Sequence, residues 1–318
     1  MDEKILVECK KLQKFFNTPR GLLHAVDDVS FKIPREKTLG VVGESGCGKS
    51  TLGRTILNLL KATSGEVLFD GVNIAGKSDK EMLPYRAKMQ MIFQDPYSSI
   101  DPRMTISQII EEPFVINKVL KQRKERQDRV RELMEIVGLD AFYVNAYPHE
   151  LDGGRRQRIG VARALALNPE FIVCDEPVSA LDVSIQAQIL NLLMDLKDER
   201  KLTYMFITHD LSVVKHISNN ILVLYLGKMV EMAPSDLIFD NPVHPYTKAL
   251  FSAIPIPDIA YRHKELQVIK GEVTSPINPP DGCRFAPRCP FVKDGCGQAA
   301  PEFRETEPGH FVACHLYN

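Results

Sequence analysis

Residues Gly43 to Thr51 read GESGCGKST. This stretch decides the fold because its glycines, lysine and two hydroxyls stand at the spacing a nucleotide's phosphates require. The run before it, Thr38 to Val42 (TLGVV), is short, apolar and β-rich. The run after it, Leu52 to Leu60, places Leu52, Ile56, Leu59 and Leu60 at helical spacing. A phosphate-binding loop joining a buried strand to a helix follows, whereas an accidental glycine-rich turn would lack both flanks. Gly43, Gly46 and Gly48 let the backbone bend until its N–H groups face one point, where the helix N-terminus adds partial positive charge. Lys49 is expected to reach the β and γ phosphates, Ser50 to bind Mg²⁺ and Thr51 to donate to a phosphate oxygen. Cys47 lies inside the loop near the helix N-terminus, where a thiolate is favoured. Maleimide inactivation that bound nucleotide with Mg²⁺ prevents is therefore expected.

With 318 residues, 44% of them hydrophobic and 25% charged, the chain suits a large domain with an appendage. No run of about 18 apolar residues occurs, and runs such as Ile221 to Leu226 are strand-sized. The opening segment, Met1 to Lys11, carries Asp2, Glu3 and Lys4 and lacks the apolar centre of a signal peptide, so a cytoplasmic chain is expected. The net charge is −1, and basic residues alternate with acidic ones, as in Arg123 to Glu135, so no basic field fits a nucleic acid. Cys9, Cys47 and Cys174 are scattered, while Cys283, Cys289, Cys296 and Cys314 crowd the C-terminal end. In a reducing compartment a metal or cluster explains that group better than disulfides. The spacing Cys283-x5-Cys289-x6-Cys296-x17-Cys314 lacks Cys-x2-Cys knuckles, and Cys289-Pro290 resembles a cluster ligand's setting. An iron–sulfur cluster is thus expected ahead of zinc, with a folding role in a tail poor in apolar residues.

Taken in order, residues 5 to 33 read as β-structure turning at Pro19 to Gly21. Phe15 and Phe16 just before that turn are core filling or an aromatic face for adenine. Ser64 to Ile74 alternates and turns at Asp70-Gly71, a hairpin signal. Met89 to Pro96 is a short strand delivering Gln94, which could reach Mg²⁺ and the attacking water. Asp101 to Gly138 is helical, with Val130, Leu133, Met134 and Val137 on one apolar stripe. Tyr147 to Gly154 (YPHELDGG) is a loop leading into a basic helix, Arg155 to Leu167, whose N-terminal glycines form an anion site. Glu170 to Pro177 (EFIVCDEP) is a buried strand ending in Asp175, suited to the Mg²⁺ shell, and Glu176, suited to polarising water. A helix ends near Arg200, and the strand Tyr204 to Thr208 delivers His209 towards the γ phosphate. Ile221 to Met232 reads as a hairpin around Gly227.

The order GESGCGKST, Gln94, LDGGRRQR (Leu151 to Arg158), FIVCDE, SALD and His209 resembles an ATP-binding cassette ATPase over residues 5 to about 240. Asn241 to Pro255 (NPVHPYTKALFSAIP) and the four-cysteine tail resemble the C-terminal extension of subunits that drive dipeptide and oligopeptide importers. The resemblance implies an α/β fold: a P-loop NTPase cassette with a RecA-like core, an antiparallel β subdomain and a helical subdomain at about 97–165. The cassette then spans 1–240 and a small Cys-rich extension 241–318. It implies that Phe16 stacks adenine and that Gly43, Ser45, Gly46, Cys47, Gly48, Lys49, Ser50 and Thr51 surround phosphates and Mg²⁺. Gln94 and Asp175 serve the metal, Glu176 is the general base, and His209 holds the γ phosphate. Asp152, Gly153 and Gly154 face a partner's nucleotide, and Asp182 crosses to that partner. A [4Fe-4S] cluster is implied for the tail.

The implied partners are a second cassette ATPase, two integral membrane permease subunits and an extracellular substrate-binding protein, with no nucleic acid, at the cytoplasmic face of the membrane. Asp152 stands where the family signature has serine, and Arg155 where it has glutamine. A heterodimer with unequal ATP sites is therefore expected. Peptide is the implied cargo, with nickel and oligosaccharide importers as neighbouring readings. A soluble cassette acting on ribosomes or nucleic acid is the rival, but such chains carry paired cassettes or long coiled coils, and this one has a single phosphate loop.

Overall fold

A computed structural model describes residues 4–97, 99–253, 271 and 274–317. The chain begins with two long strands, β1 (Ile5–Thr18) and β2 (Gly21–Pro34), which pair antiparallel across the expected turn. β3 (Thr38–Val42) is buried along its whole length and runs through the phosphate loop into α1 (Lys49–Ile56). The hairpin β4 (Ser64–Phe69) and β5 (Val72–Asn73) follows. Next come α2 (Asp79–Arg86), β6 (Met89–Ile92), α3 (Ile106–Ile116), α4 (Arg123–Ile136) and α5 (Gly153–Leu165). β7 (Phe171–Asp175), α6 (Val183–Arg200) and β8 (Thr203–Ile207) then alternate strand, helix, strand. α7 (Leu211–Ile217), β9 (Asn220–Tyr225), β10 (Lys228–Pro234), α8 (Ser235–Asp240) and α9 (Pro245–Ser252) lead into the tail, which closes with β11 (Phe303–Glu307) and β12 (His310–Ala313).

These elements group into two units. One comprises the chain up to Pro34, Thr38–Gly76 and everything from Thr208 onward. It holds a four-stranded antiparallel sheet, β2-β1-β4-β5, and a second run of strands, β11-β12-β10-β9-β3. Here β3 lies parallel to β9, with Val41 opposite Leu222. A core of Val42, Val214, Ile221, Val223, Tyr225, Tyr246 and Phe285 packs beside β9. The other unit, Arg35–Lys37 with Lys77–Ile207, contains the parallel strands β6, β7 and β8 and the helices α2 to α6. Fully buried parallel strands read as unbroken apolar runs, which is why FIVCD and TYMFI carry no alternation.

The tail adds strands beside β10. β12 hydrogen-bonds to β10, with Glu231 opposite Val312 and Met232 opposite Phe311, and it carries β11 with it. β10 would otherwise present an open edge to solvent, and a segment with few apolar residues gains most by covering an existing edge. The expected N-terminal segment before Lys4, and the last residues of the 241–255 stretch beyond Ala253, lie outside the described residues.

Candidate functional site

The phosphate loop is shaped by close backbone approaches. Gly43 has φ 151° and Gly48 φ 106°. A Cβ on Gly43 would lie 2.2 Å from the Leu224 carbonyl oxygen, and one on Gly48 would lie 2.0 Å from that of Ala25. Neither position admits a side chain. Gly46 has φ 77° but open space beside it, so conformation alone demands glycine there. Gly48 caps α1 without any side-chain hydrogen bond, which leaves the helix N–H groups facing the loop. Ser45 and Gly46 are exposed, while Lys49 is buried with its ammonium donating to the carbonyls of Gly43 at 2.8 Å and Glu44 at 3.0 Å. The ammonium thus already sits at the mouth of the loop.

Cys47 corrects the expectation of a reactive thiolate. Its side chain is 3% exposed, and burial pushes the thiol up despite the neighbouring Lys49 ammonium. The loop folds it inward, and the Cys47 carbonyl accepts a hydrogen bond from Gly227 N–H at 2.8 Å. Phe16 is half-buried with the Lys14 ammonium 4.7 Å from its ring centroid, and Phe15 packs on His24 at 4.1 Å. His209 is exposed just before α7, whose N-cap is Asp210.

In the other unit, Asp175 ends β7 fully buried and Glu176 follows it. Glu176 holds φ 45°, a left-handed conformation costing a non-glycine residue about 1 kcal/mol. Its N–H donates to the Ile207 carbonyl at 2.9 Å, and the Glu176 carbonyl accepts the Ser179 hydroxyl at 3.2 Å. The turn is over-determined, and the side chain emerges where the Gln94 amide donates to its carboxylate at 3.0 Å. The structure therefore brings Gln94 and Glu176 together.

The signature segment begins α5 at Gly153, two residues earlier than expected, because Asp152 is the N-cap: its Oδ1 accepts Arg155 N–H at 2.8 Å. Asp152 also pairs with the Arg155 guanidinium, which lies over the Tyr143 ring. The basic helix spends its other arginines on neighbouring groups. Arg156 donates to the Pro148 carbonyl, Arg158 to that of Val137, and Arg163 to the Ser99 carbonyl and Glu112. A Cβ on Gly154 would approach Ile185 to 2.6 Å, so the glycine lets α5 lie against α6. Asp182, expected to cross to a partner, caps α6 by accepting Ile185 N–H at 3.0 Å.

In the tail, Cys283 N–H donates to the Cys296 carbonyl at 2.7 Å. Phe291 N–H donates to the Cys289 sulfur and Lys293 N–H to the Cys296 sulfur, each at 3.4 Å. Burial, and then the nearby thiols, push Cys314 up to about 11 and raise Cys283 and Cys289. Among the described residues, however, no group of three or more Cys, His, Asp or Glu side chains is arranged to hold a metal ion as it stands.

Comparison with known proteins decides the family. Residues 26–179 match the ABC transporter family, and residues 230–296 match the oligopeptide/dipeptide transporter C-terminal region. The oligopeptide transport ATP-binding protein OppF of Bacillus subtilis (strain 168) is 55% identical over 315 residues, covering 99% of this chain and 97% of that protein. This chain belongs to the ABC transporter family. Another relative, the putative peptide import ATP-binding protein BOV_A0347 of Brucella ovis, is 49% identical over 314 residues, covering 99% of this chain and 98% of that protein. Among solved ABC structures, the dimeric, post-hydrolysis ATP-binding cassette MJ0796 bound to ADP and Pi matches with TM-score 0.67. It is 30% identical, covering 72% of this chain and 99% of that one. The chain is thus an ABC ATPase. The residues that sequence reasoning missed are Tyr246 and Arg288, which bond to Glu44 of the loop, and Arg284, which bonds to Asp27 and the Leu226 carbonyl; their partners are too distant in the chain to leave a local signal.

Proposed function

We propose that this chain is the ATP-hydrolysing subunit of a membrane importer for dipeptides or oligopeptides, as the names of its relatives indicate. The observation that carries hydrolysis is Glu176, placed directly after buried Asp175 and held by Gln94 at 3.0 Å. Glu176 accepts the proton of the attacking water as its oxygen bonds to the γ phosphorus, and ADP leaves with the former bridging oxygen. Lys49 and the loop amides bind the phosphates, His209 holds the γ phosphate, and Phe16 offers its ring to adenine. The hydroxyl of Ser50, the amide oxygen of Gln94 and the carboxylate of Asp175 are hard oxygen donors that suit Mg²⁺. When bound there, the ion would neutralise phosphate charge.

The partners proposed are two membrane permease subunits, an extracellular substrate-binding protein and a second, different cassette, on the cytoplasmic face of the membrane. The signature supports unequal sites. An ionised Asp152 only accepts hydrogen bonds, and here it is committed to its own helix and to Arg155. The site facing LDGGR is therefore proposed mainly to hold ATP. In the assembled transporter, Glu176→Gln should keep ATP binding and lose turnover by about 100-fold or more, while inactivating the partner's equivalent glutamate should cost much less. Near-normal phosphate release removes Glu176 from the base role; equal losses overturn the asymmetry.

For the tail, the proposal is a [4Fe-4S] cluster that Cys283, Cys289, Cys296 and Cys314 would hold. Its support is that the four cysteines crowd the C-terminal end and that the Cys289 and Cys296 sulfurs each accept a backbone N–H at 3.4 Å, as ligating sulfurs do. Anaerobic purification should give brown protein with about four irons per chain; colourless protein with one zinc would reverse the assignment.

A further inference from the structure

Every polar group of Glu44, the second residue of the phosphate loop, is committed. Its N–H donates to the Tyr246 hydroxyl at 2.8 Å. Its carbonyl accepts Lys49 Nζ at 3.0 Å and Cys47 N–H at 3.3 Å. Its carboxylate takes both terminal nitrogens of Arg288, at 2.8 and 3.0 Å. Arg288 also donates to the Tyr225 hydroxyl at 3.3 Å, and its side chain is 6% exposed. Tyr246 lies on α9 and Arg288 in the cysteine-bearing tail, both beyond the cassette's expected limit at residue 240. The carbonyl that holds the Lys49 ammonium is thus fixed from both sides by residues of the C-terminal region.

A second route converges on the same loop. Arg284, four positions before Arg288, pairs with Asp27 and donates to the Leu226 carbonyl. Leu226 has φ 44° at the β9–β10 turn, and the next residue, Gly227, gives its N–H to the Cys47 carbonyl and its own carbonyl to Asp27 N–H, both at 2.8 Å. A bidentate guanidinium–carboxylate fork fixes angle as well as distance, which lysine cannot reproduce. Backbone amides bind a phosphate well only when held in the bound geometry beforehand.

We propose that Arg288 and Arg284, with Tyr246, are positioning residues for ATP: the C-terminal region presets the phosphate loop and thereby sets nucleotide affinity without touching the nucleotide. This rests on Gly43 to Thr51 being the ATP site, which Lys49→Ala tests separately. If Lys49→Ala leaves ATP binding intact, that reading fails; if it abolishes binding while the variants below change nothing, the present proposal alone fails.

The experiment measures ATP KM and kcat of the assembled transporter, together with equilibrium ATP binding. Arg288→Gln should raise KM and Kd about tenfold with kcat within about twofold, and Arg288→Lys should restore little. Glu44→Gln keeps the loop backbone and is safe should the arginine variant fold poorly; it should reproduce the rise. Combining the two should add nothing further, because both remove one contact. An unchanged KM with only a lowered unfolding temperature, or fully additive losses, would overturn the proposal.

Discussion

Cys47 should resist thiol reagents in the folded protein even without nucleotide. Its side chain is 3% exposed and burial raises its pKa, so both access and thiolate fraction fall. Maleimide labelling of Cys47, followed by peptide mapping, should be about tenfold slower or more than in denaturant; equal rates would contradict the buried placement. Local chemistry pointed the other way because the sequence displays the helix N-terminus beside Cys47 but hides what covers it. Placements that depend on neighbours in the chain were legible: Gly43 and Gly48 in a tight loop, Lys49 at the start of a helix, and Glu176 directly after a buried strand. Residues whose roles depend on distant partners were not, and Glu44, Tyr246 and Arg288 are the clearest examples. Nothing near Glu44 in the sequence announces a guanidinium from the far end of the chain.

At the scale of elements, legibility followed periodicity. β1 and β2, the β4–β5 hairpin, β7, β8 and the β9–β10 hairpin all lie where alternation or unbroken apolar runs put them. α2 escaped notice because it buries only Met82 and contains Pro84, so no apolar stripe marks it. Its signal was the capping box, in which Ser78 and Glu81 satisfy each other's N–H groups. β11 and β12 were hidden by composition, since Arg304, Glu305 and Thr306 are exposed and burial falls on His310, Val312 and Ala313. A strand that buries a histidine does not look like a strand. The start of α5 moved from Arg155 to Gly153 for an equally specific reason: the Asp152 cap lets two glycines enter the helix, and Gly154 then lies tight against Ile185. Any residue larger than glycine there would press on the helix that follows SALD.

At the scale of the whole molecule, the tail is tied to the strands it covers by a titrating contact. Glu231 on β10 is fully buried; its carboxylate accepts the N–H groups of Val243 at 2.7 Å and His244 at 2.8 Å, and faces His310 Nε2 at 2.7 Å. The other ring nitrogen of His310 faces Glu307 at 3.1 Å. Only a protonated ring can donate to both carboxylates at once. Burial opposes the charge, but the two carboxylates prevail and raise the His310 pKa above its ordinary 6.5. His244 goes the other way: burial lowers it to about 4, so it stays neutral and accepts Tyr246 N–H at 3.0 Å. Because the folded pKa of His310 lies above the unfolded one, its stabilisation is fully present below about pH 6.5 and is lost as pH rises through the folded value. Asp27, whose pKa is lowered in spite of burial by His24, Lys228 and Arg284, contributes oppositely: its share is present above the unfolded value of 3.8 and is lost as pH falls through the lowered one. His310→Gln keeps a donor for Glu231 but no charge. It should lower the unfolding temperature by about 5 °C near pH 6, with the gap to the native chain narrowing as pH rises. Unfolding curves of both chains across that range decide it. A gap that stays constant with pH would mean that the His310 ring is neutral and that Glu231 is held by its backbone donors alone.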